Sequence, residues 1–151
     1  MVSPLIGTKM LVPPLRHDLV TRPRLTGRLN KVTESRLTLL SAPAGFGKTT
    51  LLTQWLQDWT AAGDADFDPE RRCVAWVSLD ASDSDPASFW TYLITALSAG
   101  SSVVCAEPLA LLQSGRAQIE AVLTALVNEL ARQPGQVVLV LEDYHAVTDR
   151  E

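Results

Sequence analysis

The run Ala42-Pro43-Ala44-Gly45-Phe46-Gly47-Lys48-Thr49 constrains this chain more than any other stretch, because it belongs between a strand and a helix. It fits the pattern G-x-x-x-x-G-K-[ST], with Ala42 in place of the first glycine. A small residue there still lets the loop turn. Upstream, Leu37-Thr38-Leu39-Leu40 is a short apolar run of the kind that forms a buried parallel strand. Downstream, Leu51, Leu52, Trp55, Leu56 and Trp59 are spaced to fill one face of a helix over Thr50–Trp59.

The chemistry expected of this unit is phosphate binding. Glycines at 45 and 47 can adopt backbone angles closed to other residues, which turns successive N–H groups inward around phosphate oxygens. The following helix start adds unpaired N–H groups and the positive end of a dipole. The residues expected to contact the phosphates are Ala44, Gly45, Phe46, Gly47, Lys48 and Thr49, with Thr50 as a further contact. Lys48 should reach the β- and γ-phosphates, and the Thr49 hydroxyl should ligate Mg²⁺. A chance match in a glycine-containing turn is the plain alternative, and the flanking strand and helix patterns argue against it.

A second element agrees with the first. Val137-Val138-Leu139-Val140-Leu141 is an unbroken apolar, β-branched run, as in a strand covered on both faces, and it ends in Glu142-Asp143. Acidic groups at the carboxyl end of such a strand sit where open α/β sheets bind ligands. One of them is expected to hold Mg²⁺ through water, and the other can orient an attacking water. Taken alone, the same pair is also what an exposed acidic turn after a core strand looks like.

A chain of 151 residues with 46% hydrophobic content fits one compact domain. Its net charge of −4 and pI near 5.1 argue against a segment that grips nucleic acid by itself. Cys73 and Cys105 lack metal-ligand spacing and read as buried, reduced thiols. The chain contains no apolar run near the length of a membrane span, about 18 residues, and no signal-peptide core. The expected compartment is therefore the cytoplasm.

Residues Met1–Ser35 form an arm rich in proline and basic residues, with a short helix predicted over Arg24–Lys31. Residues 36–151 are expected to form the nucleotide-binding part. Within it, Asp64–Arg72 reads as an acidic loop and Val74–Leu79 as a second buried strand ending at Asp80. Asp85 and Pro86 suit a helix start, followed by the apolar face Phe89, Trp90, Leu93, Ile94 and Leu97. After a loop around Ala99–Ser102 and a mixed stretch, Gln118–Arg132 forms another amphipathic helix. Alternating strands and helices indicate an α/β fold, a three-layer P-loop NTPase with a parallel sheet flanked by helices.

The ordered set of motifs resembles the amino-terminal part of the large ATP-dependent LuxR-type transcriptional regulators, members of the STAND class of P-loop ATPases. The matching pieces are Thr8-Lys9-Met10 with Pro13-Pro14, Val20-Thr21-Arg22-Pro23-Arg24-Leu25, and Leu39–Leu51 with Trp55. They continue with Val74–Asp80, Asp85-Pro86 with Phe89-Trp90, and Leu139–His145. The resemblance implies ATP or ADP with Mg²⁺ as cofactors. It places Val20 and Arg22 near the adenine and ribose; an arm that merely packs on the domain is the alternative. That family usually carries two aspartates where this chain has Glu142-Asp143. Asp143 then matches the catalytic acid or base, and Glu142, one methylene longer, the position serving Mg²⁺.

The same resemblance implies further segments beyond Glu151, including a helical-repeat sensor and a DNA-binding helix-turn-helix. The expectation is a piece that ends after the second acidic motif, with an incomplete sheet, weak stability and little turnover. Such a module binds nucleotide, has no direct grip on DNA or membrane, and self-associates only as part of an intact relative. A stand-alone P-loop NTPase or small-molecule kinase is the alternative, though no acceptor pocket or arginine-bearing lid is evident. His145 reads as a satisfied strand-end histidine, and His17 has no visible partner. Trp55, Trp76, Phe89 and Trp90 read as core. Asp80 either touches the site or caps the loop after its strand.

Overall fold

A computed structural model describes residues 5–15, 20–61, 72–100 and 105–148. The acidic insert over residues 64–71, His17 and residues 101–102 of the predicted loop lie outside them. The chain divides into two compact units, one spanning Val12–Arg72 and the other comprising Met1–Leu11 with Cys73–Glu151.

In the first unit, α1 (Pro23–Leu29) runs into a 3-10 turn over Asn30–Glu34, and α2 (Lys48–Ala61) comes after the glycine-bearing loop. Pro23 opens α1, where a missing N–H costs nothing because the first turn has no internal acceptor for it. α1 packs against α2. Leu51, Trp55, Leu56 and Trp59 are buried, the stripe expected from their spacing, and Leu29 of α1 is buried as well. The Trp55 indole N–H would be costly to bury alone, and it donates to Asn30 Oδ1 at 3.0 Å. Trp55 and Trp59 stack with ring centroids 5.8 Å apart. The Arg72 guanidinium lies 5.4 Å from the Trp59 ring centroid and donates to the Trp59 carbonyl. That cation serves the carbonyl-rich end of α2, where positive charge is favourable.

The predicted strand at Leu37–Leu40 is not a strand in the structure. The sheet formed by the described residues has two members, and neither includes residues 37–40. Leu37 and Leu39 are 88% and 87% exposed. An apolar run supplies side chains suited to a sheet, but a strand exists only where a neighbour supplies the ladder of hydrogen bonds. Among the described residues the fold is therefore α/β with a small parallel sheet of two strands.

In the second unit, β1 (Arg72–Ser78) pairs with β2 (Gln136–Glu142), and α3 (Pro86–Gly100), α4 (Ala106–Gln113) and α5 (Ile119–Ala131) lie between them in sequence. Such a long helical crossover is what parallel strands require. The ladder extends past β1, with Leu79 N–H donating to the Glu142 carbonyl at 3.0 Å. Asp85 caps α3, its Oδ2 accepting from Ser88 N–H at 2.9 Å, with Pro86 at the first helical position as its sequence implied. α4 packs on both α3 and α5. The core gathers Ala75, Val77 and Leu79 from the β1 segment, Leu93, Ile94 and Leu97 from α3, and Val122 and Leu126 from α5.

β1 buries consecutive residues Ala75, Trp76 and Val77, so it is covered on both faces. β2 fully buries only Val140, and its other apolar residues are half-buried. Cys73 and Cys105 are both free and buried, as expected for incidental thiols. Among the described residues, no helix is long and apolar enough to cross a membrane.

The end of α3 presses closely on β1. A Cβ built on Gly100 would lie 2.1 Å from the Val74 carbonyl oxygen and 2.7 Å from its carbon, both main-chain atoms that cannot swing aside. Gly100→Ala is therefore expected to destabilise the protein by about 1–3 kcal/mol, the usual cost of overpacking. Urea unfolding checks this: the midpoint should drop with an unchanged slope.

Candidate functional site

The loop before α2 bends as the sequence required. Gly45 and Gly47 have φ of +81° and +77°, the left-handed region that residues with a Cβ enter at a cost. A Cβ at either position would meet nothing within 4 Å, so conformation rather than crowding calls for glycine here. Phe46 N–H donates to the Pro43 carbonyl at 3.4 Å, closing the bend. Leu51 N–H donates to the Gly47 carbonyl at 2.9 Å, so the helical ladder starts on the last residue of the turn. The first amides of a helix have no carbonyl four residues back within it, the general reason helix starts favour anions.

Lys48 curls over this loop, its Nζ donating to the Ala42 carbonyl at 2.7 Å and the Pro43 carbonyl at 3.2 Å. Thr49 and Thr50 occupy the next positions of the first helical turn. The Thr49 carbonyl accepts from Thr53 Oγ1 at 2.8 Å. Of the two arm residues expected nearby, Arg22 reaches the loop. Its NH1 donates to the Phe46 carbonyl at 3.2 Å, whereas Val20 stands exposed. The Phe46 side chain is 61% exposed, so Phe46 enters the loop through its main chain.

In the other unit, the acidic pair sits at the end of β2. Trp76 Nε1 donates to Ser78 Oγ at 3.0 Å, and Ser78 Oγ donates to Glu142 Oε2 at 2.9 Å. This relay across the two paired strands fixes the carboxylate at the sheet's carboxyl edge. Ser78 lacks a sequence signal of its own, because its role arises only from the register of β1 against β2. Asp143 comes next, in the left-handed region at φ +54° and ψ +35°, and its side chain is exposed. Its carbonyl accepts from Ala146 N–H at 2.8 Å, which closes the 3-10 turn Tyr144–Ala146. His145 Nδ1 is 4.0 Å from Asp143 Oδ1, beyond hydrogen-bond reach, and both side chains are largely exposed.

Asp80 proves to be a cap. Its Oδ1 accepts from Ser82 N–H at 2.8 Å, and Asp83 Oδ2 accepts from Asp80 N–H at 2.9 Å, a reciprocal box around the 3-10 turn Ala81–Ser84. Lys9 Nζ bridges both carboxylates, at 2.8 Å from Asp80 Oδ2 and 2.7 Å from Asp83 Oδ2. Asp83 is fully buried and the Lys9 side chain is 11% exposed. Burial disfavours the Lys9 ammonium, but the hydrogen bonds and charges of Asp80 and Asp83 outweigh it and raise its pKa above the ordinary 10.5. Hydrogen bonds from Lys9 and Ser82 hold the Asp80 carboxyl down at about 2. No sequence spacing links Lys9 to Asp80; the fold brings them together.

Unit by unit, the donor set is main-chain amides, an ammonium and two threonine hydroxyls in one, and two carboxylates in the other. Amides, ammonium and hydroxyls are the donors that suit a polyphosphate, and carboxylates are ligands that suit a hard divalent cation.

Comparison with known proteins agrees. A family model described as an AAA domain matches residues 14–148. The chain is 36% identical over 146 residues to the HTH-type transcriptional regulator MalT of Yersinia enterocolitica serotype O:8 / biotype 1B. The regulators of the same name from Yersinia pestis (strain Pestoides F) and Yersinia pseudotuberculosis serotype O:1b match with the same 36% identity. Each alignment covers 96% of this chain but 15% of the relative, so the chain spans only a small part of the curated relatives' length.

The Lys9 clamp has a pH signature. Because the Asp80 carboxyl is depressed in the folded state, its contribution is complete above its ordinary value of 3.8 and is lost as pH falls through about 2. Lys9 works in the opposite sense, its contribution being complete below 10.5 and lost as pH rises through its elevated folded value. Urea unfolding measured from pH 5 to pH 2 should show a shallower acid loss for Asp80→Asn than for wild type. Lys9→Ala leaves the buried Asp83 carboxylate without its cation and should cost about 3 kcal/mol at neutral pH.

Proposed function

The chain belongs to the AAA domain family, and from that premise we propose that it is the ATP-binding switch module of a signal-transducing transcriptional regulator. The observation that carries this reading is the loop itself, with left-handed Gly45 and Gly47 leading directly into α2 at Lys48. The identity with regulators over 96% of the chain supports a switch over a stand-alone kinase or NTPase.

In this reading ATP or ADP binds with its phosphates in the loop. Residues Ala44 to Thr49 wrap the phosphates with main-chain N–H groups among them, Lys48 turns to the β- and γ-oxygens, and Thr50 adds a further contact. Bound Mg²⁺ neutralises phosphate charge. The Thr49 hydroxyl and the Glu142 carboxylate are the groups proposed to hold it, Glu142 through water. Asp143 is proposed to orient a water for slow hydrolysis, which resets the switch. Arg22 and Val20 belong to the same binding region. Self-association and DNA recognition are assigned to the intact regulator, and the cytoplasm to its compartment.

Isothermal calorimetry of the chain with Mg·ATP and Mg·ADP tests the reading. Wild type should bind, and Lys48→Ala should bind at least tenfold more weakly, since a charge-assisted hydrogen bond contributes about 1.5–3 kcal/mol. Absence of binding by folded wild type sinks the proposal.

A further inference from the structure

The peptide joining Phe46 to Gly47 is a rigid plate with two polar groups. Its carbonyl oxygen and its N–H point in opposite directions because the bond is planar and trans. Holding one group therefore fixes the other. Arg22 NH1 holds the oxygen at 3.2 Å. The N–H on the far side belongs to Gly47, the residue immediately before α2 and the first of the row of amides at that helix start.

Arg22 is itself well anchored. Its carbonyl accepts from Leu25 N–H at 2.8 Å and Thr26 N–H at 3.1 Å, the opening bonds of α1. The packing of α1 on α2, with Asn30 gripping the Trp55 indole, ties that anchor to the helix the loop feeds. Glycine at 47 is needed for the left-handed turn, yet the same freedom lets the adjoining peptide rotate. A cationic donor from a neighbouring element removes that freedom from one side.

We propose that Arg22 is a positioning residue of the phosphate loop, setting the Phe46–Gly47 peptide so that the Gly47 N–H faces the polyphosphate. It acts through the loop's main chain and touches neither base nor ribose. The inference rests on the nucleotide-binding reading, but it can fail separately from it.

The test compares wild type, Arg22→Ala and Arg22→Lys by calorimetry with Mg·ATP and with magnesium tripolyphosphate, which lacks base and sugar. Arg22→Ala should weaken both ligands by the same factor, about tenfold, the scale of one charge-assisted hydrogen bond. Arg22→Lys, which keeps a single cationic donor, should recover part of the loss. The amide resonance of Gly47 should shift in ligand-free Arg22→Ala, while the melting temperature stays near that of wild type because the Arg22 side chain is not a helix cap. Loss of ATP binding with tripolyphosphate unaffected would show that Arg22 reads the nucleoside, and overturn the proposal. Unchanged binding of both ligands, or an unmoved Gly47 resonance, overturns it equally. Wild type that binds neither ligand removes the nucleotide reading and this inference together.

Discussion

The left-handed backbone at Gly45 and Gly47 is the constraint on which the chemistry of this chain depends. Two such residues separated by one position bend the main chain sharply, and bends of this kind are what allow successive amides to face an anion. A side chain at either place would cost about 1–2 kcal/mol of backbone energy even though there is open space around it. The bend is useful only if it leads into a rigid element. α2 is made rigid by Trp55 and Trp59, buried, stacked and held by Asn30 at one ring and Arg72 at the other. A sharply bent loop is thus fastened to a helix whose far end is fixed by aromatic packing.

The acidic end of β2 is organised on a different principle. Glu142 does not hang free in solvent; Ser78 donates to it, and Ser78 is oriented by the buried indole of Trp76. Such a chain of donors restricts the rotamers of the carboxylate. The longer side chain of glutamate therefore has a defined direction.

Much of this was legible in the sequence, and the reasons are specific. The helical stripe of α2, the Asp85-Pro86 start of α3, the two strands and the turn at Gly45 and Gly47 each obey a local rule of spacing or stereochemistry. The features that were not legible depend on partners distant in the chain. Residues 37–40 have strand composition but no ladder, and composition alone does not create a neighbour. Helix α4 spans eight residues with Pro108 in its first turn, too short for a clear period. The salt bridges of Lys9 with Asp80 and Asp83 and the Ser78–Glu142 bond join residues more than sixty positions apart, and only the folded register pairs them. Asp80, open between ligand contact and cap, resolves to a cap because Ser82 and Asp83 complete its box.

Asp143 brings a last consequence. It is the one residue other than glycine with positive φ among those described. Backbone energetics alone would prefer glycine at that corner, since a carboxylate-bearing residue sits there under strain of about 1–3 kcal/mol at most. Glycine would relax the turn and delete the acid. At this position, then, robustness and reactivity pull against each other, and a variant selected purely for thermal endurance would tend to erase the group on which hydrolysis is proposed to rely.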